Sequence, residues 1–157
     1  MADEWEDHFE EAYRRHFGDI AAQESTLREY APTIRPCLVK RARTGRPEQA
    51  FQGRQRRGTT TYGQVASVVD TSGQYIGKVL GIIDFVGKEL GDPPLSPLVE
   101  RKNLEGPGRG YFIWDFIDYP SCKVDTDDKS ALCDGMKDRW RDDLSRTYEH
   151  DNWSEWK

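Results

Sequence analysis

Two segments with helical apolar periodicity, separated by a short break, constrain the fold of this chain most. They lie in residues 59–86, TTTYGQVASVVDTSGQYIGKVLGIIDFV, and in both the apolar residues recur at the spacing of one helix face. Thr60 or Thr61 can cap a first helix that begins at Tyr62, and Ser72 can cap a longer second helix. The stretch therefore predicts two helices joined by a tight turn.

A short glycine-containing turn between two such helices is typical of a helix-turn-helix, whose second helix places its N-terminal part in the major groove of DNA. On the outward face of the second helix lie Gln74, Tyr75 and Lys78, residue types that can reach base edges or phosphates. Gly77 beside them fits either a close approach to DNA or close packing between helices. The predicted DNA-binding residues of this helix pair are Thr61, Tyr62, Gln64, Ser72, Gln74, Tyr75 and Lys78.

Residues 93–116 predict a β-hairpin. A strand starts at Leu98 and Val99, residues 106–108 form the turn, and residues 111–114 return as a second strand. A hairpin that follows a recognition helix is the wing of a winged helix, which places basic side chains beside the DNA backbone. The basic side chains expected there are those of Arg101, Lys102 and Arg109.

An arginine-rich segment precedes the first helix. Residues 44–58, TGRPEQAFQGRQRRG, contain turn residues and no usable periodicity, which predicts an exposed basic loop. Its Arg54, Arg56 and Arg57 either contact a neighbouring phosphate or belong to a solvated loop without a nucleic-acid role.

The flanking segments predict further elements. An amphipathic helix covers the acidic N-terminus, a second helical piece ends before Pro32, and residues 34–42, IRPCLVKRA, predict a strand. Apolar residues four apart, up to Tyr148, predict an amphipathic C-terminal helix. The expected fold class is α+β, a winged helix-turn-helix with additional N-terminal and C-terminal helices. The expected segments are an acidic N-terminal helical segment at 1–31, the winged helix-turn-helix core at 32–118 and an acidic C-terminal helix at 119–157.

Charge is segregated along the chain. Residues 1–30 hold nine acidic and three basic residues, a balance of −6, and residues 113–157 hold twelve and seven, a balance of −5. Residues 35–112 hold thirteen basic and seven acidic residues, a balance of +6. A basic middle of this kind suits binding to phosphates. Alternatively, the acidic ends fold back as ion-pair partners of the middle.

The motifs TYGQVA and IGKVLG, followed by a proline-containing segment that turns into a Leu-Val strand, resemble the DNA-binding domain of O6-alkylguanine-DNA alkyltransferases and alkyltransferase-like proteins. The resemblance covers residues 60–106 and implies a winged helix-turn-helix. In that family a Pro-Cys-His-Arg-Val motif supplies the thiolate that accepts the alkyl group. Here the matching stretch is PPLSPLV, with Leu95 nearest to the nucleophile position, which implies no alkyl transfer. The family's base-displacing arginine is matched by Gln74 or Tyr75, and Tyr75 could still stack on a base.

Two other functions stay open. Glu100 and Lys102 lie two residues apart on a predicted strand, as in a metal-dependent nuclease, with Asp84 or Asp92 as the further acid. A protein-interaction or dimerisation module would instead use the tryptophans of the two ends, which are Trp5, Trp140, Trp153 and Trp156. We expect a non-catalytic protein that binds double-stranded DNA, with a homodimer as a further option and with no cofactor and no bound metal.

The sequence also predicts a location. The N-terminus is acidic where a signal peptide is basic and then apolar, and no apolar run reaches the ~20 residues of a membrane span. Cys37, Cys122 and Cys133 have no paired spacing, which favours reduced thiols. We therefore expect a soluble, cytoplasmic protein without membrane contact.

Overall fold

The computed structural model describes residues 4–17, 24–71, 73–102, 106–107 and 134–156, and these residues are mostly helical. The α-helices among them are α1 Glu4–Phe17, α2 Glu24–Thr44, α3 Tyr62–Val68, α4 Gly73–Glu89 and α5 Asp134–Glu149. Short 3-10 helices cover Pro47–Phe51, Arg54–Arg56 and Ser96–Leu98, and the strands are β1 Thr60–Thr61 and β2 Val99–Glu100. These elements agree with the α+β class. No helix in this part of the chain is long and apolar enough to cross a membrane.

The two strands form a small parallel sheet. Thr60 lies opposite Val99, and Thr61 lies opposite Glu100. α3 and α4 connect the strands, so the strand that precedes the helix pair lies beside the strand that follows it. Thr61 is also the N-cap of α3, which ties the start of that helix to the position of β2.

The helix α4 lies at the centre of the core. Residues 81–87 are all buried, because α1, α2 and α3 pack against this helix. α5 packs against the 3-10 helices Pro47–Phe51 and Ser96–Leu98. The buried apolar residues form one cluster that extends from Phe9 in α1 to Trp153 after α5. The three segments expected from the sequence therefore contribute to the same core.

The strand predicted at residues 34–42 is wrong, because these residues continue α2. The buried stripe of α2 has helical spacing and consists of Leu27, Ala31, Ile34, Leu38 and Ala42. Pro32 and Pro36 lie outside this stripe, where Pro32 is partly exposed and Pro36 is exposed. A proline has no N–H to donate within the helix, and a carbonyl left without its donor on this side can bond to water. The segment boundary expected between residues 31 and 32 consequently falls inside a helix.

The segment after β2 differs in part from the predicted hairpin. β2 begins at Val99 as expected, but it pairs with β1, which the sequence pattern did not indicate. Gly106 lies beside the end of β2, because the N–H of Arg101 donates to its carbonyl at 3.0 Å. Gly106 has a φ of +91°, a conformation that favours glycine. Most of the predicted turn and the predicted return strand at residues 111–114 lie outside the described residues.

Candidate nucleic-acid interface

The predicted helix pair is present as α3 and α4. The hydroxyl of Thr61 accepts a hydrogen bond from the N–H of Gln64 at 3.3 Å, and the Gln64 side chain accepts one from the N–H of Thr61 at 3.2 Å. The helix α3 ends where the N–H of Thr71 donates to the carbonyl of Ala66 at 3.1 Å. The connection at residues 69–72 is therefore as short as the sequence predicts.

A basic strand end lies beside the start of α3. Because Thr61 is opposite Glu100 in the parallel sheet, the residues that follow them, Tyr62 and Arg101, are also neighbours. Burial lowers the pKa of Arg101, and the nearby oxygens of Tyr62 and Glu100 oppose that shift. The adjacent Lys102 is exposed. Arg101 thus lies close to the first turn of α3 on its β2 side, and Lys102 follows it in the chain.

Arg41 of α2 approaches the same region. Its Nη1 donates to the carbonyl of Gly58 at 2.9 Å and to that of Thr59 at 3.4 Å, directly before β1. A groove of about 210 Å³ lies between α2 and α3, and its lining is Ile34, Cys37, Leu38, Arg41, Thr60, Gln64, Val65 and Val68. Arg41 is exposed there. The start of α3 is therefore flanked by Arg41 from α2 and by Arg101 from β2.

The N-terminal part of α4 is only partly open. Tyr75, expected on the outward face, packs edge-on against Tyr30 of α2, with ring centroids 5.9 Å apart. Burial raises the pKa of Tyr75, and the neighbouring Tyr30 raises it further. The Nζ of Lys78 lies 6.0 Å from the centroid of the Tyr75 ring. A Cβ atom placed on Gly77 would meet no described atom within 4 Å, so packing against the described helices does not account for this glycine.

Arg57 is buried, which corrects the prediction that it lies on an exposed loop and contacts a phosphate. Its side chain is 1 % exposed and pairs with Glu100, with Nη2 at 3.0 Å from Oε1 and Nε at 3.3 Å from Oε2. The guanidinium also donates to the carbonyl of Gln52 at 2.6 Å and lies over the ring of Trp140, 4.9 Å from its centroid. Its charge is therefore neutralised inside the protein.

The acids considered for a nuclease are bound by the protein's own donors. The donors to the buried Glu100 are Arg57, the hydroxyl of Thr59 and the N–H of Gly106. Asp84 accepts hydrogen bonds from the backbone N–H groups of residues 95 and 96, and Asp92 forms an ion pair with Arg35 at 3.0 Å. Within the described ranges, no three side chains of the metal-ligating types come together. The geometry gives the nuclease hypothesis no support.

The described tryptophans belong to the protein's own packing. Trp140 is fully buried and donates through Nε1 to the carbonyl of Pro97 at 3.0 Å, so it belongs to the core. Trp153 is also buried. Trp156 is half-buried, and the guanidinium of Arg35 lies 4.7 Å from its ring centroid. The side chain of Trp5 lies outside the described part of the structure.

Much of the exposed positive charge lies at the end of α2 and in the segment after it, where the sequence pattern indicated Arg54, Arg56 and Arg57 but no residue of α2. Residues 31–69 contain eight basic residues and one acid, Glu48. Arg35 and Arg57 are buried in ion pairs with Asp92 and Glu100, acids of the basic middle itself. The exposed basic side chains described in this region are Lys40, Arg41, Arg43, Arg46 and Arg56. The helical spacing of Ile34, Leu38 and Ala42 would have indicated that Lys40 and Arg41 lie on the exposed side of a helix.

The remaining predicted DNA-binding residues have different outcomes. Thr61 and Tyr62 are partly exposed, and Gln64, Arg56 and Lys102 are exposed. Ser72 and Arg109 lie outside the described residues, as do the side chains of Arg54 and Gln74. The structure brings Thr61, Tyr62, Gln64, Arg101 and Lys102 together around the start of α3.

The described residues form a small α+β fold in which two helices joined by a short connection adjoin exposed positive charge. Comparison with protein-family models, with curated proteins and with solved structures finds no significant match to this chain. A candidate function accordingly rests on the geometry of α3, α4 and β2.

Proposed function

We propose that this protein binds double-stranded DNA through a winged helix-turn-helix and catalyses no reaction on it. The observation that carries the proposal is the position of Arg41 and Arg101, which flank the first turn of α3 from two different elements. Phosphates of a duplex that passes this turn would meet both guanidinium groups. Release of counterions from neutralised phosphates would then supply most of the binding free energy.

The second helix would face the major groove with its N-terminal part. Lys78 is half-buried beside Tyr75, and Gly77 leaves open space in front of the helix backbone. A long cation at this position suits a phosphate at the groove edge, and a glycine permits close approach of the backbone. Tyr75 is partly packed on Tyr30. We therefore expect its contact with bases to contribute less to binding than the contact of Lys78 with a phosphate.

Gly106, which lies beside the end of β2, would belong to the base of the wing. The N–H of Arg101 donates to the carbonyl of Gly106 at 3.0 Å, and the N–H of Gly106 donates to Glu100 at 2.9 Å. Since Glu100 is itself held by the buried Arg57, this part of the turn is anchored to the core. Such an anchor would hold Arg101 and the exposed Lys102 in a defined position relative to α3.

The absence of catalysis is proposed from the segment that resembles the alkyltransferase nucleophile region. Leu95 is nearest to the nucleophile position, and a leucine has no thiolate to accept an alkyl group. Its side chain is also buried. The following 3-10 helix, Ser96–Leu98, is also buried, and Trp140 of α5 donates to the carbonyl of Pro97. In this chain the region is part of the core.

We also place the protein in the cytoplasm, which the free and exposed thiol of Cys37 supports because a reducing compartment preserves such a group. We do not retain the homodimer. Trp140 and Trp153, which would have supplied its surface, are buried within the chain itself.

The test is duplex binding, measured by fluorescence anisotropy over a range of salt concentrations. Arg41→Ala and Arg101→Ala should each weaken binding several-fold at low salt and reduce the slope of log K against log salt by about 1. Arg14→Ala removes an exposed arginine from the acidic α1 and serves as the matched control, with no change expected. Thermal unfolding of each variant shows whether its fold is intact. Absence of duplex binding by the wild type at low salt, or an equal loss in Arg14→Ala, would refute the proposal.

A further inference from the structure

A surface segment between α2 and β1, here called the knuckle, consists of the two 3-10 helices Pro47–Phe51 and Arg54–Arg56, of which the first packs on α5. Its own Ala50 is buried, and the buried Arg57 donates to the carbonyl of Gln52 at 2.6 Å. The knuckle is therefore held from below by the core.

This knuckle presents an aromatic ring to solvent. Phe51 is 57 % exposed and is the most exposed large apolar side chain among the described residues. A surface hollow of about 500 Å³ lies directly beyond it in the chain, against Gln52, Gly53, Gln55 and Arg56. An aromatic side chain has only two side-chain torsions, so it loses little conformational entropy when a flat partner stacks on it.

The residues that follow Phe51 in the chain and line the hollow favour a nucleobase as that partner. The amide groups of Gln52 and Gln55 can donate to and accept from base edges, and Arg56 can contact a phosphate. Exposed Arg43 and Arg46 precede the ring in the chain, with Glu48 as the nearby acid. Aromatic rings combined with positive charge are the features that proteins use to hold unpaired bases of a single strand.

The knuckle also begins and ends beside the proposed duplex surface. It leaves the end of α2, where Arg41 lies, and returns to Gly58, whose carbonyl accepts a hydrogen bond from Arg41 at 2.9 Å. We propose that Phe51, with Gln52, Gln55 and Arg56, forms a stacking site for an unpaired base of a single-stranded segment adjoining the bound duplex. This inference rests on the proposed duplex binding and adds a preference for DNA that carries a single-stranded overhang.

The experiment compares a blunt duplex with the same duplex carrying a six-nucleotide overhang that contains 2-aminopurine, whose fluorescence falls when it stacks. The wild type should bind the overhang substrate about tenfold more tightly than the blunt one, as expected for one stacked base, and should quench the 2-aminopurine. Phe51→Ala and Phe51→Leu should lose both effects, whereas Phe51→Trp should keep them. Arg14→Ala, an exposed change on the acidic α1, should behave as the wild type.

The outcomes separate the two proposals. If the wild type does not bind the blunt duplex, the proposed function fails. If blunt-duplex binding is intact but Phe51→Ala keeps the overhang preference, or the wild type shows none, the stacking site is refuted. Full activity of Phe51→Leu would likewise overturn it, because leucine is apolar but cannot stack. Competition by a polyglutamate peptide as effective as that by a single-stranded oligonucleotide would assign the surface to an acidic protein partner instead.

Discussion

Arg57 and Glu100, which are 43 residues apart in the chain, form a buried ion pair with 3.0 Å between Nη2 and Oε1. The pair joins the knuckle to the end of β2. Arg57 also contacts α5, because the hydroxyl of Tyr148 donates to the carbonyl of Arg57 and the ring of Trp140 lies against its guanidinium. The basic segment before the helix pair is thus a structural support as well as a surface.

Loss of one partner from this pair should be costly. Arg57→Ala leaves the Glu100 carboxylate buried without its ion-pair partner, and we expect a loss of about 3–5 kcal/mol in the free energy of unfolding. The double variant Arg57→Ala/Glu100→Gln should recover part of that loss, because it no longer buries an uncompensated charge. The neighbouring Arg56→Ala, at an exposed position, should stay within about 0.5 kcal/mol of the wild type. Urea unfolding measures all three, and an Arg57→Ala loss below about 1 kcal/mol would contradict the buried pair.

Asp84 makes stability depend on pH. Burial raises the pKa of this carboxyl from 3.8 to about 7, although hydrogen bonds from Ser96 and from the N–H of Leu95 oppose the shift. A carboxyl with a higher pKa in the folded state binds more protons there than in the unfolded state. The free energy of unfolding should therefore fall as pH rises from about 4 to about 7 and then stay constant.

Asp84→Asn should remove this dependence. An asparagine at position 84 can accept from the N–H groups of Leu95 and Ser96 through its oxygen and donate its amide hydrogen to the Ser96 hydroxyl. One pKa unit corresponds to about 1.4 kcal/mol. The free energy of unfolding of the variant should therefore be higher than that of the wild type by up to about 4 kcal/mol at pH 8, and the difference should disappear towards pH 4. Urea midpoints at several pH values measure the difference. Asp142→Asn, an exposed change on α5, is the control; a difference for Asp84→Asn that does not change with pH would contradict the assignment.

The parts of the fold that the sequence predicts are those determined locally. Thr61 with Gln64 forms a capping box visible in the residue order, and α3 begins at Tyr62 as expected. Apolar spacing likewise predicts α4 and α5. The wrong strand at residues 34–42 comes from ending the helix before Pro32 and from interpreting the short apolar run after it as a strand. A buried stripe on the opposite side of α2 stabilises the helix across Pro32 and Pro36.

The features that the sequence does not predict depend on contacts between distant residues. The strands β1 and β2 have two residues each, too short to show a periodicity, and they form because α3 and α4 return the chain beside its starting point. The burial of Arg57 follows from a partner 43 residues away, and no property of the local sequence RQRRG distinguishes it from its exposed neighbour Arg56. The candidate site therefore does not include the predicted Arg57. It includes Arg41 instead, which lies in the part of α2 that was predicted as a strand.

Gly45 should be intolerant of any side chain. A Cβ atom there would overlap the ring of Tyr148, which is buried and held by its hydrogen bond to Arg57. We expect Gly45→Ala to cost about 1–3 kcal/mol, as other overpacked sites do. Gly63→Ala is the matched control, because a Cβ atom in α3 at that position meets nothing within 4 Å, and it should stabilise by up to about 1 kcal/mol. Thermal unfolding compares them; equal melting temperatures would show that the Tyr148 ring can move aside.

Gly77 offers a test of the proposed DNA interface that does not depend on loss of fold. A Cβ atom at this position in α4 meets no atom of the described residues within 4 Å, so Gly77→Ala should raise the free energy of unfolding by up to about 1 kcal/mol through helix propensity alone. If the N-terminal part of α4 approaches the major groove closely, the added methyl group should nevertheless weaken duplex binding. Gly135→Ala, an exposed glycine-to-alanine change in α5, should leave binding unaltered. Anisotropy titrations with a short duplex measure both variants. A Gly77→Ala protein that is at least as stable as the wild type and binds DNA equally well would place α4 away from the groove and leave Arg41, Arg101 and Lys102 as a backbone-only contact surface.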